Sequence, residues 1–177
     1  VRTFDIFDKR NATLSVLATL LGAGMSSRLF IKLREEMGVA YYVRAFNEPS
    51  LDYGAFQISA GVNNARTEEV IKEILIECTR LKTELVSDRE LAKVKSFMIG
   101  NAKLSLEATD DIANFYGSQE LFKREMKTID EKARQIKSVK ATDIQAVARK
   151  IFQTNHLNLA LIGPVSDTGS LTKILHF

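Results

Sequence analysis

Arg34 and Tyr41 are the residues of this chain whose types and spacing best suit chemistry. They lie seven positions apart in Arg34-Glu35-Glu36-Met37-Gly38-Val39-Ala40-Tyr41, where a helix must give way to a strand. A guanidinium and a phenol converging on one cleft suit gripping a peptide carbonyl or stabilising an oxyanion. Spacing alone leaves a second reading open. Arg34 falls near the C-terminal end of its helix, where the helix dipole favours a cation, and Tyr41 can be a half-buried strand aromatic.

Other catalytic constellations are missing. The two histidines, His156 and His176, belong to no two-histidine helical pair with a glutamate, and they read as surface residues. With Cys78 as the single cysteine, neither a disulfide framework nor a zinc site can be assembled from this chain alone. Cys78 falls on the apolar stripe Val70, Ile74, Cys78, Leu81, Leu85 and reads as an inert core thiol. No Gly-x-Ser-x-Gly elbow occurs. The acidic pairs Glu35-Glu36 and Asp110-Asp111 are adjacent, so on a helix they diverge by about 100° and read as surface charge. Gly22-Ala23-Gly24 before a helix invites a phosphate-loop reading, but the third glycine and the lysine of such loops are missing, so a tight helix-to-helix turn is expected.

The elements that position Arg34 and Tyr41 follow from periodicity and punctuation. Leu14, Leu17, Ala18 and Leu21 predict a helix ended by Gly22 to Gly24. Ser26 or Ser27 is placed to cap a second helix with Leu29, Leu33 and Met37 inward, stopped by a left-handed Gly38. Tyr41 to Asn47 and Phe56 to Val62 predict an antiparallel hairpin across the turn Glu48-Pro49-Ser50-Leu51-Asp52. The remainder is mainly helical. Helices are expected over about Ala65 to Glu84, from the capping box Ser87-Asp88-Arg89-Glu90, over Asp110 to Phe122, from the capping box Thr128-Ile129-Asp130-Glu131, and around Ile144 to Ile151. Leu157 to Ile162 predicts a closing strand before Gly163-Pro164. The predicted class is α+β, with an antiparallel sheet and helices packed on one of its faces.

At 177 residues, 45% apolar and 27% charged, the chain suits one domain spanning 1–177. A net charge of +3, with cations scattered among acids as in Lys123-Arg124-Glu125, gives no face for nucleic acid. Charges interrupt every apolar run, so no membrane span is expected. Val1-Arg2-Thr3-Phe4-Asp5 is no signal peptide, and the expectation is a soluble, cytoplasmic fragment of a longer protein.

The series Leu21-Gly22-x-Gly24-x-Ser26-Ser27-Arg28-Leu29, then Arg34-Glu35, then Gly38-Val39-Ala40-Tyr41-x-Val43 resembles the C-terminal homologous domain of the pitrilysin/insulinase family of zinc metallopeptidases. Asp52-Tyr53-Gly54-Ala55-Phe56, Ser87-Asp88-Arg89-Glu90-Leu91, Val139-Lys140-x-x-Asp143-Ile144 and Leu159-x-Leu161-Ile162-Gly163-Pro164-Val165 extend the likeness over nearly the whole chain. The resemblance implies one half of a clamshell endopeptidase closing on an extended peptide. The partner domain or subunit carries zinc on an inverted His-x-x-Glu-His motif, and this half is inactive by itself. It further implies that Arg34 and Tyr41 hold the substrate backbone, with Tyr41 supporting the oxyanion and Tyr42 standing where a small residue is usual. The inverted zinc motif is absent here, so neither zinc binding nor unaided hydrolysis is expected. The alternative implied by the same family is a structural module, as in respiratory-complex core proteins. The family's usual extra strand before the first helix has little room before Asn11.

Overall fold

The computed structural model describes residues 1–122, 125–164 and 168–177. Lys123 and Arg124, and Val165 of the closing segment, lie outside them. The chain runs β1 (Arg2–Thr3), α1 (Asn11–Gly22), α2 (Arg28–Phe30), a π-helical segment (Ile31–Glu36), β2 (Ala40–Pro49) and β3 (Gly54–Val62). It continues with α3 (Thr67–Thr83), α4 (Asp88–Leu104), α5 (Thr109–Phe122), α6 (Ile129–Ser138), α7 (Ala141–Ile151) and α8 (Thr168–Ile174). Among the described residues the strands form one antiparallel sheet in the order β1-β3-β2, with helices over one face, as the α+β reading requires.

The centre of the molecule is α1. Leu14, Val16, Leu17, Leu20 and Leu21 are all buried, so this helix is apolar on more than one side, as an enclosed helix must be. It lies on β2 on one side and meets α4 and α7 on the other. Its last residue explains how close it comes. A Cβ on Gly22 would stand 2.4 Å from the Ala45 backbone nitrogen, so only glycine lets helix and strand touch there. Val43 and Ala45 of β2 and Phe56 of β3 face this core, and Phe56 meets Phe152 edge to face at 5.5 Å. A smaller cluster joins Ile71 and Leu75 of α3 to Leu171 of α8.

Several expectations need correction. Leu157 to Ile162 is no strand: it has no ladder partner among the described residues, and Ile162 is fully exposed. Alternating leucines signal a face to be covered but supply no edge to pair with. The last helix is α8 and not the Ile144 helix, and the chain opens with a two-residue strand whose Arg2 and Thr3 pair with Ala55 and Gly54. Leu85 lies beyond the end of α3 and is exposed, so the apolar stripe stops at Leu81.

Caps also differ from expectation. Ser27 stands at the N-cap of α2, but its hydroxyl donates to the Gly24 carbonyl at 2.7 Å and caps no helical N–H. Ser87 does accept from the Glu90 N–H, yet the Glu90 carboxylate turns away to Arg28, leaving half a capping box. The Thr128–Glu131 box closes in both directions.

Two glycines give contrasting predictions. Gly22→Ala forces its methyl onto β2 backbone and should destabilise the chain by about 1–3 kcal/mol or more. Gly100→Ala, in the interior of α4 with nothing within 4 Å, should stabilise by about 0.5–1 kcal/mol. Urea midpoints of the two variants moving in opposite directions is the expected outcome.

Candidate functional site

The helix that carries Arg34 is pinned by Leu29 and Leu33, both fully buried. It begins in α-helical form and widens after Phe30 into the π segment, instead of continuing as the α-helix the periodicity predicts. Its end explains the widening. The Met37 N–H reaches back to the Lys32 carbonyl at 3.1 Å, and the Val39 N–H reaches the Leu33 carbonyl at 2.9 Å around Gly38, whose φ is +63°. These are longer-range bonds than the α pattern, and π turns of this kind concentrate at functional sites.

Tyr41 is placed by an irregularity in the sheet. Ala40 pairs with Val62 and Tyr42 with Gly61, so Tyr41 is the extra residue of a β-bulge. Without the bulge, strict alternation would turn Tyr41 to the same side as the buried Val43 and Ala45. With it, Tyr41 is 73% exposed. Tyr42 is also outward, its ring lying across Gly61, where a Cβ would come within 2.4 Å of the ring.

The structure brings Arg34 and Tyr41 together through the backbone. Nη1 of Arg34 donates to the Tyr41 carbonyl, while the guanidinium sits 5.6 Å from the centre of the Phe30 ring. One of its five donors is thereby engaged in holding the bulge. Both side chains are exposed on an open corner. Neither the apolar cavity of about 250 Å³ among Ile99, Leu106, Phe115 and Ile136 nor the polar hollow at the start of α3 includes them. The arrangement can present a cation and a phenol to a ligand but does not enclose one.

Around this corner, sequence reasoning missed a charged cluster. Arg28 donates from Nε and Nη2 to the two carboxylate oxygens of Glu90, at 2.8 Å each. That hydrogen bonding holds the Glu90 carboxyl below its ordinary value against the opposing effect of burial. Only the Ser87–Glu90 spacing hinted at Glu90, and it pointed to a different partner. His156 and His176 are exposed, and Cys78 is buried in α3 with its thiol pKa raised, first by desolvation and then by the neighbouring Glu77 charge. Among the described residues no three His, Cys, Asp or Glu are grouped so as to hold a metal ion. No helix among them is long and apolar enough to cross a membrane.

Residues 3–98, which include Arg28, Arg34, Tyr41, Glu77 and Glu90, match the family model described as the peptidase M16 inactive domain. The chain belongs to that family. An uncharacterized zinc protease of Streptomyces coelicolor is 34% identical to this M16 domain over 160 residues, 90% of this chain and 35% of that protein. One from Bacillus subtilis is 32% identical over 166 residues, 94% of this chain and 40% of the relative. The M16 domain thus spans about two fifths or less of these relatives. A crystal structure of a Helicobacter pylori protease superposes with a TM-score of 0.77 at 26% identity, covering 84% of this chain and 36% of that one. A chain of complex III2 from Candida albicans superposes with a TM-score of 0.75 at 15% identity, over 86% of this chain and 39% of that one, a likeness of fold alone.

Two outcomes follow for this M16 domain. Cys78 should resist alkylation at pH 8 in the native protein and react fully in denaturant, read by intact mass. The folded-state pKa of Glu90 is depressed, so its stabilisation is complete above the unfolded value of about 4.3 and is lost as pH falls through the folded value. The stability gap between wild type and Glu90→Gln, from urea midpoints, should therefore be largest near neutrality and shrink below pH 4.

Proposed function

We propose that this chain is one domain of a longer peptidase and forms the substrate-gripping, non-zinc half of a two-part zinc endopeptidase. The observation that carries the reading is the bulge at Tyr41, which turns a phenol outward beside an exposed arginine in a domain of this family. In this reading the zinc belongs to a homologous half, on the same polypeptide or on a second subunit. An extended peptide lies between the halves. The free N–H groups of Arg34 donate to a backbone carbonyl of that peptide, and the Tyr41 hydroxyl donates to the oxygen that gains charge when the peptide carbonyl is attacked. A phenol suits this role because its O–H can donate a hydrogen bond.

A second reading is favoured by the fold likeness to the complex III2 chain: a non-catalytic module that supports an assembly. Two exposed polar groups aimed at one corner have no task in that reading. Copurification with a zinc-bearing half, as opposed to a membrane complex, separates the two.

In the full polypeptide with its zinc half, Tyr41→Phe should lower turnover of a fluorogenic peptide by about 10²-fold, and Arg34→Ala should lower it comparably. Zinc content by atomic absorption should not change. Wild-type turnover in both variants would remove the proposal.

A further inference from the structure

Arg28 opens the helix that carries Arg34, and its guanidinium is directed into the protein, with its side chain 18% exposed. Its fork grips Glu90 in the first turn of α4, while Nη1 stands 3.5 Å from Oε2 of Glu77 in α3. These last two atoms are buried and make no hydrogen bond. The other oxygen of Glu77 accepts from Arg80 at 2.8 Å, and Lys93 of α4 donates to the Ser26 carbonyl at 3.0 Å. The start of the Arg34 helix is therefore tied to α3 and α4 by charged groups.

The cluster is a poor source of stability and a good source of geometry. Desolvating three charged side chains offsets most of their attraction, and apolar residues of similar volume commonly serve stability as well or better. A side-on fork differs from an apolar contact in kind: it fixes the rotation of a helix about its axis as well as its distance. Leu29 and Leu33 hold the helix against the core, but apolar packing is non-directional. Rotation is what matters for Arg34, because its guanidinium must meet the carbonyl of a single bulged residue. The opposite end of the same helix is held by another directional bond, from Arg66 to the Met37 carbonyl at 3.2 Å.

We infer that Arg28, through Glu90 and Glu77, is a positioning residue that sets the rotation of the Arg34 helix and so aims Arg34 at the bulge and at the substrate. The inference rests on the substrate-gripping reading above.

The test is a double-mutant cycle in the full polypeptide with its zinc half, reading kcat/KM on a fluorogenic peptide together with the thermal midpoint and zinc content. Arg28→Lys keeps the charge and removes the fork. It should lower kcat/KM about tenfold with zinc unchanged, and should cause no further loss in an Arg34→Ala background. The paired variant Arg28→Met with Glu90→Met removes both charges while leaving Glu77 its Arg80 partner, and should show the same loss with folding retained. An equal loss in both Arg34 backgrounds, or wild-type cleavage by the Met pair, overturns the inference while leaving the role of Arg34 intact. Wild-type cleavage by Arg34→Ala itself overturns the gripping reading first, and this inference with it.

Discussion

The close approach of α1 to β2 governs the rest of the structure. A helix without a side chain at Gly22 rests directly on the backbone of Ala45, and both layers of the fold are built outward from that contact. Because α1 is buried on the sheet side and on the side of α4 and α7, it can neither tilt nor slide without exposing leucines to water. The short helix from Arg28 onward hangs between these same two elements. It starts six residues after α1 ends and finishes four residues before β2 begins. Both of its ends are thus set by elements joined at the Gly22–Ala45 contact.

Within that frame the corner is shaped by two departures from regular geometry. The π segment lets Gly38 turn the chain sharply while the Lys32 and Leu33 carbonyls still find donors. The bulge inserts Tyr41 into β2 and flips it to solvent while Val43 and Ala45 stay inward. Arg34 bridges the two, bonding from the end of the first to the carbonyl of the second. An exposed arginine–tyrosine pair built from two local irregularities is costly to hold unless the surroundings determine it, which is why the directional bonds at Arg28 and Arg66 are significant.

Much of the fold was legible from periodicity and punctuation. The stripes on α1, α3 and α7, the left-handed Gly38 and the closed capping box at Thr128 are local properties, and each was readable from a few residues. The pairing of Arg34 with Tyr41 was legible as spacing, but its form was not. Neither a π turn nor a bulge changes residue types, and both depend on which register buries the most surface. The Arg28–Glu90 fork joins residues 62 apart, beyond any local pattern, and it borrowed the very glutamate that a capping box would have used. The leucines after Leu157 show the opposite failure: an alternating pattern is present, but among the described residues the segment pairs with no strand.

The central claim is that an extended peptide lies against the Arg34–Tyr41 corner. Its most direct test is photo-crosslinking in the full, chelator-treated polypeptide, so that bound peptide is not cleaved. A benzophenone amino acid would replace Tyr41 or, as a comparison, the exposed Tyr53. The account predicts strong crosslinking to peptide from position 41, weak crosslinking from position 53, and loss of the position-41 signal when Arg34→Ala is added. Equal labelling from the two positions, or labelling at 41 that ignores Arg34, would contradict it.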